Sequence, residues 1–311
     1  MRLAGKALIL ACGIFTISHN SYASTNEEKH LNYGVLSSKP KKRIKDSYPL
    51  FSYVAEQLSH HGYTDAQIKV YTSIDELISA IQLGDVDLIS STIYPTLIIK
   101  EKSPIEPALV RWKKGQSSYS SIFVTNKDNG YKNLSDLQGK VVGFEDRGST
   151  SGYFLPMVSL IEQGLKVQHL TSLQEKPDAD KVGYVFFDDL LRETNEVNMT
   201  LWVARGMVDA IAYSSSNWDN PKDTPIALKQ KLYTFAQTQD YPRSIISISH
   251  SLDPTVAADL KRTLLELDTN VHGLGLLNQY QKTKKFTAFD SQTEKQLYDA
   301  QTLIHILDTT Q

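Results

Sequence analysis

Short apolar runs alternate with amphipathic stretches between residues 32 and 90, and this alternation constrains the fold more than any other feature. Residues 32–36 (NYGVL) have the pattern of a strand. Residues 49–59 (PLFSYVAEQLS) read as a helix: Pro49 suits a first helical turn, and Leu50, Val54 and Leu58 recur at i, i+4 and i+8. Residues 68–71 (IKVY) form a second expected strand. Ser73 is placed to cap a helix running through Leu83, with Glu76 completing a capping box and Gly84 ending it. Residues 86–90 (VDLIS) then give a third strand. A β-α-β-α-β order implies a parallel sheet with right-handed crossovers.

The pattern restarts at Tyr119. Residues 119–125 and 140–144 read as strands, with a short helical turn at 134–137 between them. A helix is expected over 150–163, ended by Gly164. Strands at 182–187 and 210–213 flank a helical stretch near 200–205, and a further strand at 244–249 precedes helices at 254–267 and 293–307. A length of 311 residues suits two domains. No Pro- or Ser-rich linker separates the two α/β units, so the chain is expected to cross between them near 116–119 and 237–241. The expected division is a first domain of 24–117 plus 242–311 and a second of 118–241. Ligands are expected in the cleft between them, at the carboxyl ends of parallel strands.

Ahead of these units, Arg2 and Lys6 precede an apolar run at 7–17, and Ser21-Tyr22-Ala23 supplies small residues at −3 and −1. Residues 1–23 therefore read as a secretory signal peptide cut after Ala23. The run is short for a retained anchor, and the lipobox-like Ile9-Leu10-Ala11-Cys12 falls inside it rather than after it. Cleavage removes the only cysteine and shifts the formal charge from −2 to −4. The mature chain can form no disulfide, which suits a bacterial periplasm. With 33 basic against 35 acidic residues there is no excess positive charge to neutralise a nucleic-acid backbone.

The strongest local feature is residues 143–153, GFEDRGSTSGY. A strand ends there, a glycine-bearing loop follows, and Ser149-Thr150-Ser151 stands where a helix begins. Unpaired N–H groups, the positive end of the helix dipole and three hydroxyls can together wrap a tetrahedral oxyanion. Plain helix capping by Ser149 or Thr150 is the alternative. Tyr94, after the third strand, closes a cleft wall or packs as an ordinary tyrosine. Tyr119 and Ser121 offer hydroxyls at the hinge or simply share one strand face. Asp209 accepts a proton from an oxyanion or amine, or caps a turn.

Enzyme signatures are poor matches. Gly148-Ser149-Thr150-Ser151-Gly152 resembles a nucleophile elbow, but its centre is threonine. There is no glycine-rich dinucleotide loop and no P-loop, and no histidine pair has metalloprotease spacing. His60 and His61 read as a solvated helix end, and the basic run 39–45 (KPKKRIK) as a solvated loop with at most a minor part in attracting anions. No catalytic residue, metal or cofactor is expected.

These residues resemble the phosphonate-binding family of periplasmic solute-binding proteins. The likeness rests on a YGVL-type strand followed by Tyr48-Pro49-Leu50, then Leu83-Gly84-Asp85-Val86-Asp87-Leu88. It continues through Tyr119, the segment 133–142 (NLSDLQGKVV), Ser149-Thr150-Ser151-Gly152-Tyr153 with Pro156, and Arg205-Gly206-Met207-Val208-Asp209-Ala210. The resemblance implies a two-domain, type II periplasmic binding protein fold that closes like a hinge on phosphate, phosphite or a phosphonate. It implies an inner-membrane ABC permease as partner, with a sensory adaptor docking on a membrane receptor kinase or cyclase as the second reading. It places Tyr94, Tyr119, Ser121, Ser149, Thr150, Ser151 and Asp209 at the cleft. The segment 183–189 departs from the family's Ser-Gly-Ser-His pattern and brings Asp188 and Asp189 close, where a ligand dianion would meet repulsion.

Overall fold

The computed structural model describes residues 28–191 and 195–308, so the expected signal peptide lies outside the described residues. The strands are β1 (Lys29–Leu36), β2 (Tyr63–Tyr71), β3 (Leu88–Ser91), β4 (Ile105–Arg111), β5 (Ser118–Tyr119), β6 (Ser121–Asn126) and β7 (Val141–Phe144). They continue as β8 (Lys166–His169), β9 (Lys181–Phe186), β10 (Ala210–Ser214), β11 (Leu232–Gln237), β12 (Tyr241–Pro242), β13 (Ile245–Ser249) and β14 (Phe286–Ala288). One six-stranded sheet has the order β14-β4-β13-β3-β1-β2 and the other β11-β6-β10-β7-β9-β8. The parallel pairing of β1 with β2 and β3 is the one read from the alternation. β13 runs antiparallel between β3 and β4, so the first sheet is completed by chain returning from the second. A two-stranded ribbon pairs Tyr119 with Tyr241 and Ser118 with Pro242, joining the outward and returning segments side by side.

Helix α1 (Pro40–Gln57) begins well before the position the sequence suggests. Pro40 takes the first-turn position, and Pro49 stands inside the helix. An interior proline removes the N–H that would satisfy the carbonyl four residues back. Here that carbonyl, on Lys45, instead accepts a hydrogen bond from Gln279 Nε2 at 3.4 Å. The basic run expected as a loop is therefore the first two turns of a helix. Helix α2 (Ile74–Gln82) carries the expected capping box: Ser73 Oγ accepts from Glu76 N–H while the Glu76 carboxylate accepts from Ser73 N–H. It ends at Gly84, whose φ of +77° favours glycine. Helix α3 (Ile93–Lys102) follows β3 with almost no connection.

The helix expected over 150–163 is divided. Thr150–Phe154 is a π-helical turn, and α4 (Leu155–Glu162) follows it. Pro156 supplies no N–H to the Gly152 carbonyl four residues earlier, and that carbonyl accepts from Glu145 N–H at 3.0 Å instead. Each sheet has its own apolar core: Tyr33, Phe51 and Tyr280 cluster beneath the first, and Phe187, Met199 and Tyr213 beneath the second. A third cluster crosses between the units. It joins Ile93 and Leu97 of α3, Leu155 and Leu160 of α4, and Ile304 and Leu307 of the C-terminal helix Ser291–Asp308.

Candidate functional site

The connections after β3, β4 and β7 converge on one cavity of about 700 Å³ between the two sheets. From the first sheet it is lined by Ser90, Ser91, Thr92 and Tyr94 after β3, and by Arg111 and Lys113 at the end of β4. Arg43 reaches it from α1, and Asp146, Arg147 and Gly148 face them from beyond β7. Register places Arg111: its N–H bonds the Ser244 carbonyl at 2.8 Å where β4 lies beside β13.

Behind Gly148 lies the hydroxyl loop singled out in the sequence. Ser149 is engaged as a cap, its Oγ accepting from Gly152 N–H at 2.9 Å and donating to Glu145 Oε2 at 2.8 Å. Thr150 is 2% exposed. Its hydroxyl donates to Thr92 Oγ1 at 2.9 Å and accepts from Tyr94 N–H at 3.1 Å, both on the opposite unit. The side-chain hydroxyls of Thr150 and Ser151 lie close enough to the Tyr119 phenol to favour its ionised form. Burial raises the pKa of that phenol, and Arg243, whose Cζ lies 4.4 Å from the ring centroid, opposes the rise. Ser121 Oγ donates to the Ser151 carbonyl at 2.7 Å. Tyr94 stacks on Phe154 with ring centroids 4.4 Å apart and planes 9° from parallel. The structure thus brings Tyr94, Tyr119, Ser121, Ser149, Thr150 and Ser151 together where the units meet.

Asp209 does not join them, and that expectation is corrected. It stands just before β10, where Ala210 pairs with Val142 at the start of β7, and so at the opposite end of the sheet from Ser149. Its carboxylate accepts from Val141 N–H at 2.8 Å and from the Tyr131 hydroxyl at 3.1 Å, an anchoring role for the strand start. The acid near the loop is instead Glu145. Burial, reinforced by Asp146 and Glu196, pushes its carboxyl up to about 7. Asp188 and Asp189, expected to repel a dianion, pair with Arg147: its guanidinium donates to both Asp189 oxygens at 3.0 and 2.8 Å.

Of the cleft's cations, sequence reasoning reached only the basic run that holds Arg43, and gave it a minor part; Arg111, Lys113 and Arg243 were missed. Arg111 is 3% exposed, and its guanidinium donates to neutral oxygens, Thr283 Oγ1 at 2.9 Å and the Tyr280 carbonyl at 3.0 Å, while stacking 3.7 Å from the Tyr280 ring centroid. Lys113 has its ammonium pKa pulled well down by burial and then by the nearby charges of Arg243, Arg111 and Arg43. For Arg111 and Lys113 the local signal available in the sequence was the run Arg111-Trp112-Lys113-Lys114. Away from the cleft, His60 and His61 are not simply solvated. Both Nε2 atoms meet Asp259 Oδ2, at 2.9 and 2.8 Å, and the three residues form the one His/Asp group among the described residues whose donor atoms could share a metal ion.

A family model described as "ABC transporter, phosphonate, periplasmic substrate-binding protein" matches residues 33–294. Among solved structures, XAC2383 from Xanthomonas citri bound to ATP superposes with a TM-score of 0.83 at 23% identity, covering 90% of this chain and 99% of that one. PhnD1 from Prochlorococcus marinus in complex with methylphosphonate superposes with a TM-score of 0.65 at 18% identity, covering 90% and 99%. A binding protein component of an ABC phosphonate transporter from Pseudomonas aeruginosa gives 0.62 at 18% identity, covering 91% and 88%. At these identities the likeness shows the fold: the chain has the two-domain, type II periplasmic binding protein architecture implied by the resemblance.

Proposed function

Because the chain belongs to the periplasmic substrate-binding family of phosphonate ABC transporters, we propose that it captures phosphate, phosphite or a phosphonate in the interdomain cleft and delivers it to an inner-membrane ABC permease. The observation that carries this reading is the gathering of Tyr119, Thr150 and Ser151 directly behind Gly148, which lines a cavity whose opposite wall carries Arg43, Arg111 and Lys113. Hydroxyl donors fix an oxyanion's orientation, and unpaired guanidinium and ammonium groups supply the countercharge. Tyr94, Tyr119, Ser121, Ser149, Thr150 and Ser151 are the proposed ligand contacts. The proposed domains are 24–117 with 242–311, and 118–241, and the proposed route to the periplasm is export with loss of residues 1–23.

Two relatives of this fold hold phosphorus oxyanions, methylphosphonate in one and ATP in the other, which supports that ligand class here. Membership of a solute-binding family favours capture over turnover, and transport over the sensory-adaptor reading. Thermal unfolding of the purified protein with phosphate, phosphite and methylphosphonate tests the proposal. A ligand that binds only the folded state raises the melting temperature by mass action. Absence of a shift with all three would reject these small oxyanions as the ligand.

A further inference from the structure

We infer that the ligand this cleft is built for is an organic polyphosphate ester, with one anionic group beside Gly148 at the start of the hydroxyl loop, another on Arg43, Arg111 and Lys113, and its organic body against the apolar wall between α2 and α3. The inference rests on the proposal above that a phosphorus oxyanion occupies the cleft, and it specifies which kind.

The first argument is charge. Arg43, Arg111, Lys113 and Arg243 lie near enough for their charges to act on one another. Among the described residues, none of the four forms an ion pair with a carboxylate. Arg147 across the cleft differs, because Asp189 neutralises it. Withdrawing a cation from water without a countercharge is strongly unfavourable, and clustering several adds mutual repulsion. Arg243 sharpens the point: it is 9% exposed, and its Nε is buried without a hydrogen-bond partner. One oxyanion at the hydroxyl loop would leave most of this charge uncompensated. A second anionic group on the first domain's wall compensates it.

The second argument is size and shape. A cavity of about 700 Å³ falls in the range of roughly 300–1,000 Å³ typical of pockets for drug-sized ligands. Part of its wall is apolar, formed by Ile74 and Leu77 of α2 and by Pro95 and Ile98 of α3. Inorganic phosphate or methylphosphonate has almost nothing to place there. An ester with an organic body covers that wall while its phosphates span the two polar regions.

Calorimetric titration of the purified protein with methylphosphonate, pyrophosphate and ADP tests this. The expected order is ADP tightest, at least tenfold tighter than methylphosphonate, with pyrophosphate between. Lys113→Met and Arg43→Gln, both at partly exposed positions, should each weaken ADP at least fivefold and weaken methylphosphonate less. If methylphosphonate binds and neither ADP nor pyrophosphate binds more tightly, this inference is wrong while the proposed function stands. If ADP binds tightly but both variants leave its affinity unchanged, the placement of the second anionic group is wrong. If no phosphorus oxyanion binds, both fail.

Discussion

The Thr150 hydroxyl donates to Thr92 Oγ1 at 2.9 Å across the gap between the two sheets, so the residue expected to hold the ligand also latches the two units together. The same oxygen accepts from Tyr94 N–H, and both partners belong to the segment that follows β3. A hydroxyl shared in this way couples closure of the cleft to the contacts inside it.

Replacing Thr150 by Val keeps the shape and removes the hydroxyl that bonds both Thr92 Oγ1 and the Tyr94 N–H. Each lost hydrogen bond contributes about 0.5–1.5 kcal/mol, so loss of both should weaken the closed form by about 1–3 kcal/mol. Affinity for the bound oxyanion should fall about tenfold or more, and the ligand-free radius of gyration should rise. Thr150→Ser, which keeps the hydroxyl, should restore both. Calorimetry and small-angle scattering on the two variants check this, and an unchanged Thr150→Val would remove the latch.

Glu145 gives the loop a pH dependence. Its carboxyl is pushed up to about 7 and its Oε2 lies 2.8 Å from Ser149 Oγ. As pH rises through 7 the group ionises beside the anion loop, so ligand affinity should fall with rising pH through this carboxyl. Stability follows the same sign: a carboxyl with a raised folded pKa binds protons more tightly when folded. Its contribution is complete below the ordinary glutamate pKa and is lost as pH rises to about 7. Glu145→Gln should flatten both profiles relative to the parent, read by titrations and denaturant melts from pH 5 to 8.

Gly143 is a packing requirement rather than a hinge. A Cβ there would stand 2.3 Å from Phe187 Cε2 and 2.7 Å from Cζ, with the ring fully buried. Gly143→Ala should destabilise the protein by about 1–3 kcal/mol through overpacking, seen as a lower denaturant midpoint. Combining it with Phe187→Leu should recover part of the loss, because the obstructing ring atoms are gone.

The α/β alternation and the hydroxyl loop were legible because both are local. Strand and helix periods repeat within a few residues, and Ser149-Thr150-Ser151 is contiguous. Two prolines misled. Pro49 reads as a helix start, yet the helix runs through it because Gln279, distant in sequence, satisfies the Lys45 carbonyl. Pro156 breaks the register of the expected second-unit helix into a π turn. The cationic wall was hidden because its members come from three separate stretches of chain: the β13-β4 pairing brings Arg243 beside Arg111 and Lys113, and α1 adds Arg43. Asp209 was misplaced because a motif fixes a strand's start but not which end of the sheet faces the cleft.

Capture of a phosphorus oxyanion in the cleft is the central claim, and equilibrium binding tests it most directly. Isothermal titration of the refolded, ligand-stripped protein should give saturable one-to-one binding with at least one of phosphate, phosphite, methylphosphonate, pyrophosphate and ADP, and Thr150→Val should weaken it at least tenfold. No binding with any of the five, or binding that Thr150→Val leaves unchanged, would contradict the account.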